Sequence, residues 1–278
     1  MLLGMALCAP LLAGRPEGVA GVEEGARLSL VRGYLFVDVR INNRGPFRMA
    51  LDTGNTSCVV TPSAAAALGL VPDERVVLTT AAGERVIPAV TSTRVEVGSA
   101  AADGVEVLVD SLEGIRIVGG RIDGVLGQSF LSRVSYLIDY RQARLWVGPE
   151  ADRLSSRVGS PVAAEILRGR VFLPVMLEPG GRTWRMVLDT GANDLLLGCG
   201  SDCPRAASVT HVRTNAGGRI VRTATLRQVR VGGLRFADRE ALLIGKAAHL
   251  EQGDGLLPGA WFSAIYVERG GKVVRLAP

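Results

Sequence analysis

The feature that most constrains this chain is an eight-residue segment that occurs twice. Residues 47–54 read FRMALDTG, and residues 184–191 read WRMVLDTG. Each copy joins an aromatic residue, Arg-Met and a short apolar run to Asp-Thr-Gly, and such a long internal match is typical of a duplicated domain. The repeat therefore predicts two similar halves that carry Asp52 and Asp189 in equivalent positions.

The two halves are alike on both sides of this segment. Three further patterns recur in the same order, namely an alternating segment before it (residues 32–39 and 168–175), a strand–turn–strand pattern after it (77–86 and 212–220) and an Asp-Gly-apolar segment (123–131 and 254–262). Alternation with Gly- and Asn-containing turns is typical of half-buried strands and hairpins. The order predicts an all-β fold of two similar, barrel-like lobes related by a pseudo-twofold axis.

These segments together resemble the aspartic proteases of the retropepsin and pepsin clan, and among them the bacterial retropepsin-like proteases. The resemblance covers about residues 26–278, with an N-terminal lobe at 26–150 and a C-terminal lobe at 160–278. It implies an aspartic endopeptidase with a polypeptide substrate. It also implies one active site between the lobes, with Asp52 and Asp189 as the catalytic pair.

The resemblance assigns supporting roles to the residues beside the two acids. Thr53 and Thr190 match the threonines that cross-brace the acid loops, and Gly54 and Gly191 match the glycines that let the loops approach. The tips of the second hairpins resemble flaps that close over an extended substrate, and the alternative is an ordinary exposed turn. The flap candidates are Thr80, Ala81, Ala82, Gly83, Asn215, Ala216, Gly217 and Gly218.

Two carboxyl groups within hydrogen-bonding reach do not both ionise easily, so the pair keeps one proton over a wide pH range. The ionised acid can act as a general base on a water molecule, while the protonated acid polarises a carbonyl group. This chemistry requires no metal and no cofactor. A single Asp-Thr-Gly is also typical of a strand that ends in a polar turn, but two copies in matched surroundings favour the active site.

Two other acids recur, and they invite a catalytic interpretation. Asp123 and Asp254 each precede a glycine, and we expect them to cap the turn or short helix that follows. Gly127 is expected where the backbone passes close behind the first acid loop. The second lobe has Pro258 at that position and Gly259 after it, which leaves the geometry of that lobe open.

Three departures from the family pattern keep a second class of function open. Pro258, the additional charge of Asp194 and the unusual Asn55 motivate a catalytically inactive, two-lobed peptide-binding module. A third possibility is that the lobes form active sites only on dimerisation. The complete pair of Asp-Thr-Gly segments favours an enzyme that is a monomer with an intrachain active site.

Length and charge restrict the partners. A chain of 278 residues is long enough for two domains that each bury a core. The net charge of +5 comes mainly from arginines scattered along the chain, which predicts a solvated basic surface and no nucleic-acid partner. After residue 20 no apolar run approaches the roughly 18 residues of a membrane span.

The N-terminal segment predicts export. Residues 1–22 read as a signal or leader segment with an apolar stretch, although no basic residue precedes that stretch. We expect a periplasmic or secreted bacterial protein. A lipid anchor at Cys8 is not expected, because Leu7 stands where a small residue is needed.

The remaining cysteines predict one short bridge. Cys199 and Cys203 are expected to form a disulfide in an oxidising compartment, with two free thiols as the alternative, and Cys58 is expected to be a buried free thiol. A metal site is not expected, since the only histidines, His211 and His249, complete no recognisable ligand set.

Overall fold

The structure is a computed structural model that describes residues 25–80, 83–112, 120–178, 180–200, 202–214, 217–245 and 253–278. It is mostly β, with 57% strand and 10% helix. The all-β, two-lobed fold predicted from the repeat is therefore confirmed. The predicted leader at residues 1–22, with Cys8, lies outside the described residues.

The N-terminal lobe is built on a closed barrel. Its strands are β1 (Ala26–Val31), β2 (Tyr34–Ile41), β3 (Arg44–Leu51), β4 (Cys58–Val60), β5 (Glu74–Thr80), β6 (Gly83–Val97), β7 (Ala100–Val109), β8 (Gly124–Leu126), β9 (Tyr136–Asp139) and β10 (Arg144–Val147), with helices α1 (Pro62–Leu68) and α2 (Gln128–Leu131). The order β2-β3-β8-β4-β7-β6 closes because β6 also pairs with β2. The pairs β3–β8 and β4–β7 are parallel.

The C-terminal lobe repeats this arrangement strand for strand. The connection consists of α3 (Pro149–Leu154), a 3-10 turn (Ser155–Arg157) and β11 (Pro161–Val162), and the lobe consists of β12 (Glu165–Leu167), β13 (Arg170–Glu178), β14 (Thr183–Asp189), β15 (Leu195–Gly198), β16 (Ser208–Thr214), β17 (Gly217–Val231), β18 (Leu234–Ile244), β19 (Gly255–Pro258), a 3-10 turn (Gly259–Trp261), β20 (Ala264–Val267) and β21 (Val274–Ala277). The ring β13-β14-β19-β15-β18-β17 closes through pairing of β17 with β13. Each strand from β12 to β21 thus has a counterpart from β1 to β10.

The period-two alternation of the strands explains where the core lies. Along β2, Leu35, Val37 and Val39 are buried in the main core, whereas Phe36 faces a second cluster on the opposite side of the sheet. That second cluster lies beneath the β5–β6 hairpin, which contributes the buried Ile87. Apolar residues on both faces therefore bury the first half of β2, whereas Asp38 and Arg40 further along are exposed.

A sheet shared by the two lobes joins them. Its order is β11-β21-β20-β9-β10-β1, so β9 of the first lobe pairs with β20 of the second. Ile138 and Ile265 lie directly opposite each other in this antiparallel pair, and both are fully buried. The repeated sequence segments therefore contribute equivalent strands to the two sides of this shared sheet.

The lobes differ beyond the fourth strand of each barrel. In the first lobe α1 begins at a capping residue, Thr61, whose Oγ1 accepts a hydrogen bond from the Ala64 N–H at 3.2 Å. In the second lobe the equivalent segment is a loop closed by a disulfide between Cys199 and Cys203, with a Cα–Cα distance of 5.1 Å. Cys58 is a buried free thiol. No helix within the described ranges is long and apolar enough to cross a membrane.

Candidate active site

The two acid-bearing strands end in the same way. The β3–β8 and β14–β19 pairs are parallel, and their registers match position for position. The Asp52 N–H donates to the Leu126 carbonyl at 3.0 Å, and Asp189 pairs with Pro258. Pro258 therefore continues its strand and leaves the register of the second lobe unchanged.

The Asp-Thr-Gly loops are bound to each other by their threonines. Thr53 Oγ1 donates to the Leu188 carbonyl at 2.8 Å and accepts from the Thr190 N–H at 3.1 Å. Thr190 Oγ1 donates to the Leu51 carbonyl at 2.7 Å and accepts from the Thr53 N–H at 3.0 Å. Both threonines are buried. Four hydrogen bonds in a dry environment fix the two loops relative to each other.

The glycines of both loops lie against the carboxyl groups of the opposite lobe. A Cβ atom on Gly54 would lie 2.5 Å from Asp189 Cγ, and a Cβ atom on Gly191 would lie 2.7 Å from Asp52 Cγ. Real Cβ contacts are essentially never so short. These positions must be glycine for the two acids to come this close.

The two carboxyl groups are buried together, and each accepts backbone hydrogen bonds from its own loop, with Ala192 as a second partner of Asp189. Asp52 Oδ1 accepts the N–H groups of Gly54 and Asn55, both at 3.0 Å, and Asp189 Oδ1 accepts that of Gly191 at 2.7 Å. Burial raises the pKa of both acids, and the charge of Asp52 raises the pKa of Asp189 further, well above its ordinary value. The hydrogen bond between the two side chains opposes the rise at Asp52. Of the two acids, Asp52 is therefore the one that ionises more easily.

A glycine backs each loop. A Cβ atom on Gly127 would lie 2.3 Å from the Ser57 carbonyl oxygen, so the chain passes directly behind the first acid loop. In the second lobe, a Cβ atom on Gly259 would lie 2.7 Å from Thr190 Cγ2. The close approach has thus moved one residue along the chain, which is how the lobe accommodates Pro258.

The prediction that Asp123 and Asp254 cap the following turn or helix is wrong. Asp123 Oδ2 accepts the Arg48 N–H at 2.9 Å, and Asp254 Oδ2 accepts the Arg185 N–H at 2.8 Å. The reason is the parallel pairing, because it places each aspartate, just before the first residue of β8 or β19, beside an N–H of the acid-bearing strand. Both carboxylates therefore bind the acid-bearing strands and lie outside the acid pair.

The flap candidates lie at the tips of two hairpins. Thr80 pairs with Gly83 at the end of β5–β6, and in β16–β17 the last pair is Thr214 with Gly217, next to Gly218. The tip residues Ala81, Ala82, Asn215 and Ala216 lie outside the described residues. Each hairpin exposes two apolar side chains, namely Val77 and Val86 in the first and Val209 and Ile220 in the second.

Tyr34 stands at the edge of the acid pair, and sequence reasoning missed it. Burial raises the pKa of this phenol, and the charges of Asp194, Asp189 and Asp52 raise it further. Asp194 itself is exposed, and its pKa is raised by partial burial and by the charge of Glu240. The phenol thus faces both the acid pair and this additional charge.

A contact between the lobes involves the turn that directly precedes Tyr34. Asn193 Nδ2 donates to the carbonyl oxygen of Arg32, in the β1–β2 turn of the other lobe, at 3.0 Å. Gly33 in this turn has φ +86°, and a Cβ atom there would lie 2.3 Å from Asn193 Oδ1. The repeated Arg-Gly at residues 32–33 and 168–169 was the available signal for such a turn.

Within the described residues, no group of three or more His, Cys, Asp and Glu side chains is arranged to hold a metal ion. His249 lies outside those residues.

Comparison with known families supports the same chemistry. The model of the aspartyl protease family matches residues 37–130, a segment that contains Asp52, Gly54 and Gly127. No curated protein sequence matches the chain. The first lobe is therefore similar to an aspartyl protease in sequence, and the second lobe repeats its strand order and its acid loop.

Proposed function

We propose that this chain is an aspartic endopeptidase whose single active site lies between its two lobes. One observation carries the proposal: Asp52 and Asp189 hydrogen-bond each other on loops that the two threonines tie together. Such a pair holds one proton between two acids, which supplies a base and an acid at the same place. The match to the aspartyl protease family supports this assignment.

The reaction follows from the inequality of the acids. Asp52 accepts a proton from a water molecule while the water oxygen bonds to the carbonyl carbon, and Asp189 gives its proton to the carbonyl oxygen. The tetrahedral intermediate then breaks its C–N bond as Asp52 returns the proton to the leaving nitrogen. A hydroxyl proton of the new acid restores Asp189. No covalent bond to the enzyme is formed.

Three further properties belong to the proposal. The substrate is an extended polypeptide, because the hairpins β5–β6 and β16–β17 carry the edge strands β5 and β16, which can pair with an added strand. The active enzyme is a monomer, since the shared sheet joins both lobes of one chain. The protein is exported, and residues 1–22 are its leader.

The features that motivated an inactive peptide-binding module do not disturb the acid pair in this geometry. Asn55 gives a backbone N–H to Asp52, Pro258 keeps the strand register, and Asp194 is exposed. No described contact favours that alternative over the enzyme.

Incubation of the purified protein with a mixed peptide library at about pH 3 to 8 tests the proposal. We expect new peptide termini, detected by mass spectrometry, and a bell-shaped rate profile. Activity falls at low pH as Asp52 gains a proton, and at high pH as Asp189 loses the shared one. Because the pKa of Asp189 is raised well above 3.8, the falling limb at high pH lies well above that value. Peptides that bind without cleavage would favour the binding module.

Chelation tests the absence of a metal step. We expect EDTA to leave the cleavage rate unchanged, because water is activated by a carboxylate in the proposed reaction. A zinc protease treated in parallel provides the control. Loss of activity that zinc restores would contradict the mechanism.

A further inference from the structure

A buried glutamine holds the first acid loop from behind. Gln128 is the first residue of α2, and its side chain is 1% exposed. Its Nε2 donates to the Thr53 carbonyl at 2.8 Å, and its backbone N–H donates to the Asn55 carbonyl at 2.9 Å. One residue therefore binds the carbonyl groups on both sides of Gly54.

This contact reaches the carboxylate through a single peptide group. The carbonyl of Thr53 and the N–H of Gly54 belong to one planar, trans peptide, so they point in opposite directions. Gln128 binds the carbonyl end, and the N–H end donates to Asp52 Oδ1 at 3.0 Å. Hydrogen bonds in such a chain polarise one another, so the amide strengthens the bond that stabilises the ionised form of Asp52.

The orientation of the amide follows from its neighbours. The Thr53 carbonyl requires a donor, which places Nε2 on that side and Oε1 on the other. Gln128 Oε1 and the Tyr136 hydroxyl are both buried, and neither has a hydrogen-bond partner in the described part of the chain. Burial raises the pKa of Tyr136, and the contact with Gln128 opposes this rise.

The second lobe has no such amide. Gly259 occupies the position equivalent to Gln128, because Pro258 is equivalent to Gly127. A side chain at Gly259 would have no room, since its Cβ would lie 2.7 Å from Thr190 Cγ2. The Tyr140 hydroxyl lies 2.8 Å from the same point. That hydroxyl is buried and has no hydrogen-bond partner among the described residues. The supports behind the two acid loops therefore differ in chemistry.

We propose that Gln128 is a positioning residue that makes Asp52 the ionised acid and leaves the shared proton on Asp189. Its effect on turnover rests on the proposed protease function. The order in which the two acids ionise exists without a substrate and can be measured separately.

Two substitutions isolate the amide donor. Gln128→Met keeps the length of the side chain but cannot donate at any pH, and Gln128→Glu can donate only when it is protonated. For Gln128→Met we expect kcat/KM to fall about tenfold, KM to stay unchanged, and the low-pH limb to move up by about half to one pH unit. For Gln128→Glu we expect nearly wild-type activity at low pH and a growing deficit as the buried carboxyl ionises.

Ser129→Ala is the matched control. Ser129 is the next residue of α2, and its hydroxyl binds the Cys58 N–H and the Glu106 carbonyl, each at 2.8 Å, without touching the acid loops. We expect this variant to lower the melting temperature and to leave both pH limbs in place. A purely structural role for Gln128 would give the same result for Gln128→Met and would overturn the proposal.

Carboxyl NMR titration of protein labelled with ¹³C-aspartate provides a measurement that does not depend on activity. We expect the lower of the two apparent pKa values of the acid pair to rise in Gln128→Met relative to the wild type. If the wild type cleaves no peptide, the protease function fails and the titration still decides the role of Gln128. If the wild type is active and the titration of Gln128→Met is unchanged, the proposed role of Gln128 is contradicted while the protease function stands. If Gln128→Met does not fold, Gln128→Glu decides the question. A loss of activity in Gln128→Glu that is the same at every pH would overturn the proposed role of Gln128.

Discussion

Asp52→Asn and Asp189→Asn are each expected to reduce peptide hydrolysis about a thousandfold or more. The two acids act as one unit, because one must lack a proton while the other carries it, and an asparagine can do neither. Initial rates on a peptide identified from the library measure the loss. Both variants should remain folded, since the amide fits the same space, and the exposed Asp103→Asn serves as the control.

Mixing the two inactive variants tests whether one chain builds one site. In the shared sheet β9 pairs with β20, and the chain that joins the lobes enters the same sheet as β11. Neither variant can lend its remaining acid to the other without exchanging a whole lobe. We therefore expect the mixture to stay inactive. Recovery on mixing, or one variant with about half the wild-type rate, would favour sites formed between two chains.

The two lobes and the acid pair could be predicted from the sequence because the same pattern of residues occurs twice. The alternating strands around residues 47–54 and 184–191 determine which side chains face the core, and this local information is sufficient to predict two similar barrels. The order of the strands in the ring was not predicted, because a repeat indicates that both lobes share one order but not which order it is.

Contacts between distant parts of the chain could not be predicted from local sequence patterns. Asp123 accepts a hydrogen bond from a backbone N–H 75 residues away, so its local setting before a glycine wrongly indicated a cap. The amide of Gln128 likewise binds a carbonyl 75 residues away. Asn193 reaches across the lobes to Arg32. Such partners depend on the register of paired strands, which the spacing of residues does not reveal.

Pro258 shows how strand register can correct an expectation. As a single residue it suggested a distorted second lobe, because proline lacks an N–H and stands where the first lobe has Gly127. In the structure it sits at the end of β19, opposite Asp189, and Gly259 makes the close approach instead. A one-residue shift was enough to preserve the acid loop.

Gly54→Ala is expected to abolish activity and to destabilise the protein by roughly 2–4 kcal/mol. The added Cβ would lie 2.5 Å from Asp189 Cγ and 2.6 Å from its Oδ2, so the two loops must move apart. That movement stretches the hydrogen bonds between Thr53 and Thr190 and separates the acids. Gly54 does not have a positive φ, so the cost comes from this contact and not from the backbone. Denaturant unfolding and initial rates measure the two effects.

Gly245→Ala is the control for the same chemical change, because no atom of the described residues lies within 4 Å of a Cβ at that position. We expect it to alter neither stability nor rate. A double-mutant cycle then tests which contact causes the loss of stability. In the double variant Gly54→Ala, Asp189→Ala, the side-chain atoms that the new methyl group would meet are absent. We therefore expect most of the lost stability to return. The double variant stays inactive because it lacks one acid. If Gly54→Ala keeps wild-type activity, or if the second substitution restores no stability, the two acid loops do not approach each other as closely in solution as the structure shows.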